Sequence, residues 1–171
     1  MTDIIKAMNP TAPLHTEEAA LGAAKVSAVG ILIGAIHQAV GGWYASTPEA
    51  AAAAGRLIER LTGQAPTAEQ MAASAQQGMI MGVALAVLQL GLAFWQWKKP
   101  NIVLPILFLV LCIWGLGTSA LGLAMGAEQP VYLSVFSIVA MLIAVVTHIA
   151  GIRGASALGK IRYEAANTYE D

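Results

Sequence analysis

Charge is what this chain has least of. Only 11% of its 171 residues are Asp, Glu, Lys or Arg, against roughly 25% in an ordinary soluble domain. The shortage is concentrated: residues 26–42, 78–97, 102–127 and 131–152 contain none of the four. Each run is near or above the roughly 18–20 residues that a helix needs to cross about 30 Å of hydrocarbon. Cysteine is almost absent too. Cys112 stands alone, which excludes an internal disulfide and any CxxC redox or metal motif. Inside an apolar run it reads as a small buried side chain. No carboxylate lies within any run, which argues against ion-coupled transport and against carboxylate-bridged metals. The halves of the chain show no inverted repeat of the transporter kind. Also missing are a GxxxxGK[ST] phosphate loop, a nucleophile with a neighbouring base, and a basic surplus for nucleic acid, since the net charge is −1. The first 19 residues lack the short apolar core and small-residue cleavage site of a secretory leader. The first apolar run is therefore expected to remain and to act as its own insertion signal.

What is present is hydrophobic: 57% of residues, with a mean hydropathy of +0.67. The predicted plan is a tail over 1–16, spans over 17–45, 78–98, 102–126 and 130–153, a loop over 46–77, and a second tail over 154–171. Ile4, Ile5 and Met8 suit one short turn on a membrane surface, and His15 reads as solvated. Thr16-Glu17-Glu18 gives a hydroxyl cap followed by acids at the positive end of a helix. The 46–77 loop carries its own helix signals. Thr47-Pro48-Glu49 is a start, Ala50, Ala54, Leu57, Ile58 and Leu61 fall at helical spacing, and Gly63 is a stop. Thr67 and Gln70 then form a capping box, opening a helix expected to run into the second span. Trp95-Gln96-Trp97-Lys98-Lys99-Pro100 marks a membrane boundary and a turn. The expected fold is an all-α integral membrane protein, a four-transmembrane-helix bundle with a helical extracytoplasmic cap between the first and second spans.

Lysine and arginine set the orientation, because cytoplasmic loops retain them. Four crossings put both tails and the 98–101 turn on one side. That side carries Lys6, Lys25, Lys98, Lys99, Arg153, Lys160 and Arg162, whereas the other has only Arg56 and Arg60. Both termini are therefore expected in the cytoplasm. The alanine-rich composition suggests a bacterial inner membrane. A large first outer loop and a very short second one resemble the plan of claudin-like proteins. The outer loop has no cysteine pair, so the likeness stops at topology.

Membrane helices associate through small residues and a few polar ones, and each run has such a stripe. Gly30, Gly34, His37 and Gly41 share a face of the first. Gly78, Gly82, Ala86, Gln89, Ala93 and Gln96 share one on the second. Gly115, Ser119, Gly122 and Gly126 do so on the third, and Ser137, Ala140, Ala144, His148 and Gly151 on the fourth. The expected packing residues are Gly30, Gly34, Gly41, Gly82, Gln89, Gly115, Gly122, Ala140, Ala144 and His148. His37 lies about 9 Å below the boundary set by Trp43, at 1.5 Å per residue. Ser119 and Ser137 lie at a similar depth, so His37, Ser119 and Ser137 are the candidate ligand site for a quinone or lipid. The bland alternative is an interhelical hydrogen bond. His148 belongs to the opposite half of the bilayer, about 15 Å away by the same rise, so the two histidines are not expected to share a haem. A His37–Met79 or His37–Met81 haem is the remaining haem option.

No cofactor is expected. The leading functional expectation is a non-catalytic multi-pass subunit, an accessory, assembly or oligomer-forming component of a membrane complex. Its partners would be the lipid bilayer and other membrane subunits or copies of itself, with no nucleic acid. A protein binding a quinone, haem or lipid near His37 is the alternative, and an oligomeric pore a second one.

Overall fold

The computed structural model describes residues 4–167, all of whose regular structure is helical. The last acidic residues, Glu170 and Asp171, lie outside the described residues. Six helices follow in order: α1 Ile4–Met8, α2 Glu17–Ala45, α3 Pro48–Thr62, α4 Ala68–Lys98, α5 Val103–Ala124 and α6 Val131–Asn167. Four of them, α2, α4, α5 and α6, are long and apolar enough to cross a membrane.

Local chemistry sets the boundaries. The Thr16 hydroxyl accepts from the Ala19 amide, and Glu17 and Glu18 occupy the first turn of α2. Thr47 caps α3 by accepting from the Ala50 amide, with Pro48 at the first helical position. Gly63 closes α3 at φ 74°, a conformation costly for residues with a Cβ. The Thr67/Gln70 capping box forms in both directions, at 2.8 and 3.2 Å, and α4 then runs unbroken to Lys98. Helix α5 starts on a cap supplied by a side chain just ahead of it. Asn101 Oδ1 accepts from the amides of Val103 and Leu104, at 2.9 and 3.0 Å.

The four long helices do not contribute equally. Helix α2 packs along its length against both α4 and α6, while α5 leans mainly on α6. Helices α4 and α5, though adjacent in sequence, make no extended contact with each other. Half of the apolar window of α2 is buried against protein and 33% of that of α6, but only 11% for each of α4 and α5. In cross-section the order is α4, α2, α6, α5.

Glycine permits the close approaches. A Cβ on Gly82 would stand 2.7 Å from the Gly42 Cα, so the backbones of α2 and α4 touch there. A Cβ on Gly151 would stand 2.5 Å from that of Ser27, and Gly154 abuts the Ala23–Ala24 backbone. Helices α2 and α6 thus run antiparallel in register from the Glu17–Arg162 ion pair (2.9 Å) to the His37–Ser137 contact. Twenty residues of α2 separate those points, about 30 Å of helix. The register carries α6 as one helix past Ile152 to Asn167, through most of what the sequence reads as a tail.

Candidate functional site

The polar side chains among the long helices lie in separate layers along α2. In the layer towards Trp43, His37 Nε2 meets Ser137 Oγ at 3.1 Å, joining α2 to α6. The imidazole stacks on Phe136 with centroids 6.1 Å apart. Its Nδ1 is buried without a partner among the described residues. Ser119 faces Ser137 across a crevice between α5 and α6 and is exposed. The crevice measures about 20 Å3. That is room for about one water, whereas small-molecule sites run to about 300 Å3 or more. The structure brings His37 and Ser137 together and leaves Ser119 at the rim. Thr118, at the same level, donates back to the Gly115 carbonyl of its own helix.

One turn further along, the amide of Gln89 occupies the room that Gly34 leaves. A Cβ on Gly34 would stand 2.7 Å from Gln89 Oε1, an oxygen buried without a partner among the described residues. In the next layer His148 is fully buried and stacks on Phe108, centroids 5.8 Å apart. Its ring fits against Gly30, whose added Cβ would lie 2.9 Å from Cε1. Neither imidazole nitrogen has a partner among the described residues. Beside it Thr147 donates to the Ala144 carbonyl at 2.8 Å. His148 is level with Gly30 and His37 is seven residues on, so the two rings lie about 10 Å apart along α2, closer than a count from the two boundaries suggests. Among the described residues no three of His, Cys, Asp and Glu converge as a metal-holding group.

The layer at the Lys98 end is the best satisfied. Gln96 is fully buried. Its Nε2 donates to the carbonyls of Ala24 (3.2 Å) and Asn101 (3.0 Å), and its Oε1 accepts from the Asn101 amide and side chain. One glutamine thereby ties α2, α4 and the start of α5. No family model, curated protein or solved structure matches the chain. Geometry alone carries the functional reading.

Of the expected packing residues, Gly30, Gly34 and Gly82 sit at helix contacts, Ala140 and Ala144 are buried, and Gly115 abuts Met141 of α6. Gly122 meets only Ala127 of its own turn. Gly41 needs correction. It is exposed, with nothing within 4 Å of an added Cβ, and the contact with α4 belongs to Gly42. Spacing from Gly30 tracks the face that α6 covers, but near Trp43 the close neighbour is α4, round the helix by about 100° (one residue at 3.6 per turn). Sequence reasoning also missed Gly154, hidden by the supposed tail, and Asn101, whose signal is an Asn two residues before a helix lacking another cap.

A last polar cluster lies beyond Trp43. Arg56 and Arg60 of α3 both reach Glu128 in the α5–α6 turn, Arg56 at 2.7 Å. Arg60 also donates to the Gly126 carbonyl. Hydrogen bonds from Arg56 and then Arg60 hold the Glu128 carboxyl below the ordinary glutamate value.

Proposed function

We propose that the protein is a non-catalytic multi-pass subunit of a membrane complex, with α3 capping its extracytoplasmic end and both termini in the cytoplasm. A bacterial inner membrane fits the composition. The observation that carries this reading is the uncovered surface of α4 and α5. Those faces hold small residues: Ala84 and Gly91 on α4, and Gly117, Ala120 and Ala124 on α5. A Cβ on Gly91 or Gly117 would meet nothing within 4 Å. Small residues favour helix association in lipid because backbones can approach, so these faces suit a second protein helix. The buried polar groups support the same reading. Gln96 and the His37–Ser137 pair are used in holding helices together, and Thr147 is used within its own helix.

Mass analysis of the detergent-solubilised native protein tests this, together with cysteine crosslinking in membranes. In a Cys112→Ala background, Ala120→Cys on α5 is expected to crosslink into a discrete larger species. A lone monomer with no co-purifying protein and no crosslink would overturn the proposal.

A further inference from the structure

Helix α3 keeps its apolar and charged residues on different sides. At about 100° per residue, Ala50, Ala54, Leu57, Ile58 and Leu61 share an arc of about 100°. All four charged residues, Glu49, Arg56, Glu59 and Arg60, fall outside that arc. The apolar side is left uncovered at its far end, where Leu61 is 58% exposed. Two attachments set the depth of the helix. Its start follows Trp43 and Tyr44 at the end of α2, amphipathic aromatics of the kind that mark a membrane boundary. Its second half is held by Arg56 and Arg60 to Glu128 and to the Gly126 carbonyl. That turn lies at the same boundary. Trp43 stands as far past His37 as Val131 stands before Ser137, and His37 meets Ser137 in the antiparallel α2–α6 pair. From Pro48 to Arg60, α3 thus stays within one arginine side chain of the boundary.

Tyr44 shows which side of α3 faces the membrane. It lines the crevice between α3 and the α5–α6 turn, together with Ala53 and Arg56. It also lines the crevice between α3 and α4, together with Ala50, Ala54 and Met71. The end of α2 therefore lies beneath α3, on the side between Ala53 and Ala54. Leu57 and Leu61 project from that same side in the following turns, and the exposure of Leu61 means that no part of this chain lies beneath it. We infer that α3 is an interfacial helix, with Leu57 and Leu61 sunk in the lipid leaflet at its end of the molecule. Helices of this kind bury an apolar side about 5–10 Å into the boundary between headgroups and acyl chains. Arg56 and Arg60 hold α3 down beside the bundle, and Glu59 stays in water. Both arginines are engaged by Glu128, so apolar area rather than lipid charge provides the attraction. This placement requires only that the four long helices cross a bilayer, for which they are long and apolar enough. It is independent of the direction of insertion and of what covers α4 and α5.

Spin labelling of the full chain in vesicles of dioleoyl phosphatidylcholine, a lipid without net charge, tests this. Single cysteines in a Cys112→Ala background carry a nitroxide. Its collisions are measured with oxygen, which concentrates in lipid, and with a water-soluble nickel chelate. The oxygen-to-nickel ratio at Leu61→Cys is expected to exceed that at Glu59→Cys at least threefold. Leu57→Cys, one turn earlier on the same side, is expected to exceed it too, so that a label disturbing the end of the helix cannot decide the result alone. Ala52→Cys, exposed on the side away from Tyr44, is expected to match Glu59→Cys. A ratio at either leucine no higher than at Glu59→Cys would overturn the inference by placing that side in water. A Leu61→Cys label shielded from both reagents would overturn it by showing a protein, or a second copy of this chain, against α3.

Discussion

At the scale of single residues, two buried polar side chains of similar burial have opposite energetics. Gln96 has every polar atom engaged, largely with backbone groups that would otherwise stay unpaired. His148 has neither nitrogen engaged among the described residues. A neutral imidazole always carries one N–H, and leaving a buried donor unpaired costs about 1–3 kcal/mol. Removing Gln96 strands its partners, whereas removing His148 strands nothing. Gln96→Leu is accordingly expected to destabilise the protein by about 1–3 kcal/mol, with the 96–104 turn loosened. His148→Leu is expected to stay within about 1 kcal/mol of the unaltered protein or to exceed it, since an apolar group of similar size can replace an unpaired polar one. Reversible unfolding in mixed micelles reads both. A larger loss for His148→Leu than for Gln96→Leu would reverse this assignment. The difference was not legible in the sequence. Both residues sit on small-residue stripes, and only the position of Asn101 at the α4–α5 turn separates them.

At the scale of elements, α3 is held only weakly by apolar packing. Among its residues only Ala53 is buried, while Ile58 and Leu61 are exposed. Its link to the rest of the chain is ionic, through Arg56, Arg60 and Glu128. Glu128 has a folded value lowered by those arginines. Its contribution to holding α3 is therefore fully present above the ordinary glutamate value, about 4.3, and is lost as pH falls through the lower folded value. Amide exchange in α3 is expected to rise steeply in that acid range and with added salt, which screens exposed pairs. Glu128→Gln should show the fast exchange already at neutral pH and lose the acid step. An unchanged acid step in Glu128→Gln would show that another group controls it. The element itself was legible, because Thr47-Pro48-Glu49 and Gly63 are local signals whose chemistry acts within one turn. Its partner was not, since Glu128 is 68 residues from Arg60 and nothing local links them. The same limit applies to the spans. A stripe of glycines says that a helix has a close-packing side. It does not say which neighbour lies there, so the Gly42–Gly82 contact and the distance of α4 from α5 emerge only in three dimensions.

At the scale of the whole molecule, charge distribution and helix direction make one argument. The antiparallel run of the four long helices places the start of α2, the 98–102 turn and the far part of α6 at one end, with Lys25, Lys98, Lys99, Arg153, Lys160 and Arg162. Arg56 and Arg60 lie at the other, both on Glu128, so the three-dimensional arrangement keeps the one-sided sequence count. Retention of lysine and arginine in the cytoplasm then predicts the proposed direction of insertion. Single cysteines in a Cys112→Ala background make this measurable. Glu59→Cys, exposed on α3, is expected to react with a membrane-impermeant maleimide in intact bacterial cells. Tyr163→Cys, on the exposed far part of α6, is expected to react only after the membrane is opened. The reverse pattern would turn the molecule over. Labelling of both sites in intact cells would mean that an even number of the three helices α4, α5 and α6 crosses the bilayer. The first result would keep the antiparallel run and reverse only its direction, whereas the second is incompatible with that run, whose contact from Glu17–Arg162 to His37–Ser137 requires α2 and α6 to cross together.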